Sequence, residues 1–438
     1  MKALEDWQTT TLGEVSKFIG GNGFREELQG QKDGEYPFIK VSDMELPDNN
    51  KMIIEANNWI DEKTRLREAF KTFPKDSVVF AKVGAALLLN RRRILTRPTC
   101  IDNNMMVALP TGIDPLFLFY KLSAIDFADF VQSGAVPSIN QGQLSCISFE
   151  LPQFIPEQTK IAEILSTVDL AIEQTEALIA KQKRIKTGLM QDLLTRGIDE
   201  HGNLRSEQTH EFKDSPLGRI PVEWNVKNLR DVSYGGAQNG FFKKPELVGF
   251  GYKLINVSEI YQPLGIDTDY HKVERVRGKA NDLLKYGVKL GDVFFTRSSL
   301  VLEGIAHCNI IRDIKEPTLF ECHVMRIQPK NDEILPEFLT LFCQSHIARI
   351  FLMSRAKHVT MTTISQPELE ELIVPVPQQI EEQSKIVDSV LSCEQAIRHS
   401  ERERQKIHSL KTGLMQDLLT GKKRVTALLE KHHELTNR

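Results

Sequence analysis

Paired cysteines, long apolar runs and an excess of positive charge are all missing from this 438-residue chain. Its six cysteines (Cys100, Cys146, Cys308, Cys322, Cys343 and Cys393) include no C-x-x-C pair, which argues for reduced, mostly buried thiols rather than a disulfide frame. The most apolar stretch, residues 117–130, is broken by Lys121, Asp126 and Asp129, so no membrane span is expected. The first ten residues are polar and carry Glu5 and Asp6, unlike a secretory leader, and the expected location is cytoplasmic. A net charge of −3 gives no global attraction to a polyanion, so any nucleic-acid contact has to be local. Catalytic signatures are absent too. There is no G-x-x-x-x-G-K-[ST] phosphate loop, no H-E-x-x-H, no G-x-S-x-G elbow and no Asn-Pro-Pro-aromatic motif of the amino-methyltransferases. These absences weaken an enzymatic reading without excluding it, and no metal site is expected.

What is present is a repeat. Residues 186–195, KTGLMQDLLT, recur letter for letter at 411–420. At this offset of 225, residues 152–195 align with 377–420 without a gap, and 21 of the 44 positions are identical. A period this long exceeds any solenoid unit, so each copy is a domain with an attached element. In the first copy an apolar stripe steps by four and three through Ile161, Leu165, Val168, Ile172, Ile179, Leu189 and Leu193, with Thr175 and Gln182 in register. The second copy gives Ile386, Val390, Cys393, Ile397, Ile407, Leu414 and Leu418, with Ser400 and Arg404 in register. This is a heptad seam. A helix of about 38 residues would be roughly 57 Å long, too long to lie on one globule throughout, and the natural partner for each seam is the other copy. Gly188 and Gly413, in matching positions, suggest a kink or a close helix approach.

Ahead of each helix lies a region with strand-like runs and Gly/Pro/Asn punctuation. The two regions share a skeleton: Trp7 and Trp224, the glycine turns at 20–23 and 235–240, the apolar runs 76–82 and 291–297, and Ser138-Ile139-Asn140-Gln141 against Thr363-Ile364-Ser365-Gln366. Short strands mixed with helices give an α/β (mixed α+β) fold class in two pseudo-symmetric copies. The expected organisation is a first domain at 1–151, a helical segment at 152–195, a polar linker at 196–213, a second domain at 214–375, a second helical segment at 376–420 and a basic tail at 421–438.

The glycine turns lack the following helix and lysine of a phosphate loop; Asn22-Gly23 and Asn239-Gly240 read more simply as tight turns with positive φ. His307-Cys308 and Cys322-His323 fit no zinc-finger spacing and read as core packing. The basic loops are better candidates. Lys82 and Asn90-Arg91-Arg92-Arg93 follow one strand, Arg297-Ser298-Ser299 follow its counterpart, and Lys243-Lys244 lie beyond the second glycine turn. Arginine can reach guanine edges bidentately, asparagine can serve adenine, and lysines hold phosphates.

Together these residues resemble the specificity subunit of type I restriction-modification enzymes. The carriers are two variable α/β regions, each followed by a proline-led E-Q-x-K-I helix (Glu157 to Ile161, Glu382 to Ile386) and ending in L-M-Q-D-L-L-T. The resemblance implies two target recognition domains that each read half of a bipartite double-stranded DNA site, separated by two long antiparallel coiled-coil helices that dock two methyltransferase subunits. It implies restriction/translocase subunits as further partners, with S-adenosylmethionine used by the methyltransferase subunits and ATP and Mg²⁺ by the restriction/translocase subunits, and with no catalytic residue and no bound cofactor in this chain. Two rivals from other classes are a stand-alone DNA-modifying enzyme with an unfamiliar active site and a structural coiled-coil adaptor.

Overall fold

A computed structural model of the chain describes residues 6–131, 136–263, 265–268, 273–358 and 361–429. The last nine residues of the expected basic tail, 430–438, lie outside these. The chain forms two compact units: residues 1–177 with 401–438, and residues 178–400. The division passes through both long helices, Ile155–Arg196 and Ile380–Leu418.

In the first unit a five-stranded sheet has the order Ser16–Gly20, Met105–Pro110, Val78–Ala81, Arg92–Leu95, Met52–Ile53. All neighbours are antiparallel except the last pair. Alternation along Val78–Ala81 explains why it is central. Val78 and Phe80 face the helix Pro115–Ser123 and its cluster, while Val79 and its strand neighbour Val107 pack with Ile39 and Ile101, so the strand is covered on both sides. A smaller sheet of Trp59–Ile60, Tyr36–Ile39 and Cys100–Ile101 lies beside it, and Trp7–Thr11 pairs antiparallel with Ser148–Pro152.

The second unit repeats this plan with other residues. Its five-stranded sheet runs Gln238–Asn239, Val324–Ile327, Val293–Thr296, Cys308–Asp313, Ile266–Asp267, and again only the last pair is parallel. The smaller sheet is Arg275–Val276, Val248–Ile255 and Thr318–Phe320, and Asn225–Asn228 pairs with Ile373–Val376. The linker holds an antiparallel hairpin, Phe212–Ser215 with Gly218–Pro221, turned through Gly218 at φ +92°.

The long helices are Ile155–Arg196, 42 residues, and Ile380–Leu418, 39 residues. They pack antiparallel. In the first unit Asp169 meets Lys411 at 2.6 Å and Glu176 meets Arg404 at 3.9 Å, one number rising as the other falls. In the second unit Lys186 meets Glu394 at 3.0 Å. The offset of 225 converts Asp169 to Glu394 and Lys186 to Lys411, so one ion pair appears twice. Each core is completed by the start of one helix and the end of the other: Ile161, Leu165 and Leu418 in the first unit, Leu193, Ile386 and Val390 in the second.

Of the seam residues, Ile161, Leu165, Ile172, Ile179, Leu193, Ile386, Val390, Ile397 and Leu418 are buried. Val168, Leu189, Cys393, Ile407 and Leu414 are half-buried. The matched glycines need correction. A Cβ on Gly188 or Gly413 would meet nothing within 4 Å, and both helices run through without a break, so neither glycine marks a close approach within the chain.

Candidate nucleic-acid interface

The helix starts show how each α/β domain is fixed to its support. Glu157 is fully buried and accepts from Arg424 Nε and Nη2 at 2.7 and 2.8 Å. Its counterpart Glu382 accepts from both terminal nitrogens of Arg205, from the Ile198 amide at 3.1 Å and from Trp224 Nε1 at 3.3 Å. Arg424 and Arg205 each lie just beyond the end of a long helix, so the clasp ties the start of one helix to the segment that leaves the other. Gln158 and Gln383 make a second stitch: their side-chain oxygens accept from the amides of Asp114 and Leu335 at 2.8 Å, the residues that cap the next domain helix. The sequence exposed these residues as a repeated E-Q pair, yet gave no sign that both side chains are buried.

A polar knot in the first unit was not anticipated. Tyr120 donates to Asp169 at 2.5 Å, and Lys51 reaches Tyr120 at 2.6 Å and Ser166 at 2.9 Å. Burial pushes the Tyr120 hydroxyl pKa up, with Asp169 adding to it, and burial pushes Lys51 down. At Asp169 burial works upward, but the hydrogen bonds from Lys411 and Tyr120 outweigh it and hold the carboxyl below its usual value.

One end of each five-stranded sheet gathers the segments that the sequence skeleton paired. In the first unit a Cβ on Gly21 would lie 2.2 Å from the carbonyl oxygens of Ile101 and Asp102. Lys82, half-buried, takes its amide to Asn104 and receives the Ile139 amide at 3.0 Å. In the second unit Gly240 packs as closely on the carbonyls of Phe320 and Glu321, and Arg297 takes the place of Lys82, its amide on His323 and its carbonyl under Ile364. Close approach, not positive φ, is what requires these glycines: Asn22, Gly23, Asn239 and Gly240 all have ordinary φ, and only Gly235 and Gly236 in the second turn have positive values.

The arginine run is not a free loop. Arg92 and Arg93 belong to the strand Arg92–Leu95. Arg92 is 3% exposed, lies 3.7 Å over the Phe127 ring and donates to Asn90 and the Ile125 carbonyl at 2.9 Å; burial draws its pKa down to about 10. Arg93 spends its donors on the carbonyls of Asn49, Arg92 and Met44. Arg91 is paired with Glu45, and Asn90 is engaged by Asp126, Arg92 and the Phe127 amide. With Asn90, the terminal nitrogens of Arg92 and the guanidinium of Arg93 bonded inside the domain, these residues hold the loop rather than reach out of it. Lys243 is likewise held by Glu274 at 2.5 Å and Asn256 at 3.0 Å. Ser298 is buried and bonded to His323 Nδ1 at 2.7 Å, and Ser299 receives the Val301 amide. Lys244 and Arg297 are exposed.

His307 stacks on Tyr261 at 4.6 Å, and burial, with Arg349 nearby, pushes its pKa down to about 4. Cys308 is buried beside Cys343, as expected of core packing. Cys322 and His323 are not core: the first is half-buried and the second exposed. With Glu321 they bring three ligand atoms within 4.8 Å, the one such grouping found among the described residues. Glu321, however, accepts the His323 amide, the same turn that Asp102 makes with the Asn104 amide in the first unit. No helix of the described residues is long and apolar enough to cross a membrane.

The family pattern described as the type I restriction modification DNA specificity domain matches residues 4–183 and 221–409. The MjaVIII specificity subunit of Methanocaldococcus jannaschii, a type I restriction enzyme component, is 25% identical over 98% of this chain and 95% of its own. The EcoKI specificity subunit of Escherichia coli K12 is 21% identical over 89% of this chain and 82% of its own. Among solved structures, the S subunit of a type I system from M. genitalium superposes with a TM-score of 0.55 at 14% identity, covering 94% of this chain and 96% of that one. A chain from a structural study of type I R-M complex assembly and conformational transition gives 0.58 at 14% identity, covering 97% and 100%.

Proposed function

Because the chain belongs to the type I restriction-modification DNA specificity family, we propose that it reads a bipartite double-stranded DNA site in the cytoplasm, one half-site with each α/β domain. The helices set the distance between half-sites and dock two methyltransferase subunits, through which restriction/translocase subunits join. The chain itself is non-catalytic. S-adenosylmethionine, ATP and Mg²⁺ belong to the partners. Lys82, Lys244 and Arg297 are the phosphate-facing cations of this reading.

The observation that carries it is the repetition of one five-stranded order in two units whose loops differ, each mounted through the same buried glutamate on an antiparallel helix pair. Linking two readers makes the second contact intramolecular, so modest half-site affinities combine strongly. The purified chain with DNA and S-adenosylmethionine should transfer no methyl group, and adding the modification subunit should yield methylation of an interrupted motif. Transfer by the chain alone favours a stand-alone enzyme, and a complex without sequence preference favours an adaptor.

A further inference from the structure

Large apolar side chains held in water by a braced loop call for a partner, since each forgoes part of a burial worth roughly 1.5–3 kcal/mol when complete. Both units carry such a loop in the same place, just after the central strand and its terminal cation. In the second unit the chain leaves Val293–Thr296, passes Arg297 and turns through Leu300, Val301 and Leu302, which are 79%, 57% and 44% exposed. The turn is braced from inside. Thr296 Oγ1 and the Tyr261 hydroxyl both donate to the Gly304 carbonyl, at 2.6 and 2.9 Å, and Arg349 donates to the carbonyls of Ile305 and Glu303 at 2.6 and 2.8 Å. In the first unit the one-turn helix Ala85–Leu88 starts after Gly84 at φ +78° and ends before Asn90 at φ +53°. Leu87 is buried beneath it, while Leu88 and Leu89 are 45% and 53% exposed. Asn90 and Arg92, bonded to each other and to the segment Ile125 to Phe127, hold this tip in place.

We propose that Leu88 with Leu89, and Leu300 with Val301, are specificity-determining residues that recognise thymine through its 5-methyl group in the major groove, one pair in each half-site. The inference rests on the DNA-reading function proposed above. An apolar tip offers no donor or acceptor, and the one apolar feature that distinguishes base pairs in the major groove is that methyl group. Lys82 and Arg297, at the entry to each loop, are placed to meet the flanking phosphates. A protein partner is the competing occupant. Against it, the helices repeat letter for letter at 186–195 and 411–420 while the two tips differ in sequence and conformation. Two copies of one partner would meet like surfaces; two different half-sites would meet unlike ones.

The test uses the chain assembled with its modification subunits, on duplexes carrying its methylated motif. Each thymine of the motif is replaced in turn by deoxyuridine. In each half-site at least one replacement should weaken binding about fourfold, the value of burying one methyl-sized group. Leu300→Ser with Val301→Ser should abolish that discrimination in one half-site only, and Leu88→Ser with Leu89→Ser in the other. The comparison of thymine with uracil is made within one protein, so a partly unfolded variant still reports. A half-site without an A·T pair, indifference of the native complex to deoxyuridine, or serine variants that discriminate like the native chain would overturn the inference. So would serine variants that no longer assemble with the modification subunit, which would assign the tips to a protein. A bipartite motif without thymine dependence defeats this inference alone, whereas the absence of any bipartite motif defeats the function on which it rests.

Discussion

Replacing Glu382 by alanine should detach the second α/β domain from its helix start. The carboxylate is 8% exposed and is the shared acceptor for the Arg205 guanidinium, the Ile198 amide and the Trp224 indole. Arg205 is itself only 9% exposed, so removing its partner strands a charge inside the protein. Breaking a buried pair from one side costs about 3–5 kcal/mol, and unpaired donors add to this, so a loss of about 4 kcal/mol is expected at this site. Substituting both ends, Glu382→Leu with Arg205→Met, should recover most of it, because neither charge is then left alone. Urea unfolding followed by Trp224 fluorescence, with Trp7 and Trp59 changed to phenylalanine, reads the effect beside the clasp. Hydrogen exchange at the Ile198 amide gives a second measure. A loss below about 1 kcal/mol, or a double variant as weak as the single one, would refute the claim that this charge pair, rather than apolar packing around it, fastens the domain.

Arg92→Ala should lower the melting temperature of the first unit and leave the salt dependence of DNA binding unchanged, because the side chain is buried and its terminal nitrogens are bonded inside the domain; a reduced salt slope in a binding titration would show that it touches phosphate. Lys121, buried against Phe149, has its pKa drawn down from 10.5 to about 8 by burial. Between those values the unfolded chain binds more protons than the folded one, so stability should rise with pH across that window, and Lys121→Met should remove the rise in calorimetric scans from pH 7 to 10.5. Gly188→Ala and Gly413→Ala should each stabilise the isolated chain by about 0.5–1 kcal/mol, since both sites are open and alanine is the better helix former; loss of assembly with the modification subunit in the same variants would place a partner's backbone there. Inserting one turn into both long helices should widen the methylated motif by about two base pairs, as 5.4 Å of helix is set against duplex rise, and unchanged spacing in methylome sequencing would disprove the role of the helices as a ruler.

Much of the architecture was legible because it rests on periodicity. The heptad positions from Ile161 to Leu193 and from Ile386 to Leu418 announce long paired helices, and the matched runs around Val78–Ala81 and Val293–Thr296 announce a shared frame. The site was much less legible. Asn90, Arg91, Arg92 and Arg93 look in sequence like a basic loop, yet a strand begins at Arg92, and residues more than thirty positions away engage all four: Asp126 holds Asn90, Glu45 holds Arg91, Phe127 lies under Arg92, and the Asn49 and Met44 carbonyls take Arg93. The linear pattern also hid the exposed leucines beside them, because Leu87, Leu88 and Leu89 are chemically alike and only their surroundings separate one core residue from two exposed ones.

The sequence by itself determined that there are two copies, that each ends in a long amphipathic helix, and that the helices are equivalent, because local periodicity and exact repetition need no distant contact to be read. Only the tertiary structure decided which arginines are buried, that Glu157 and Glu382 are the fasteners, and that each core borrows from both helices. Those outcomes depend on which remote residues arrive within hydrogen-bond or packing distance, and desolvation, not residue type, then determines whether a charged group holds the fold or faces outward.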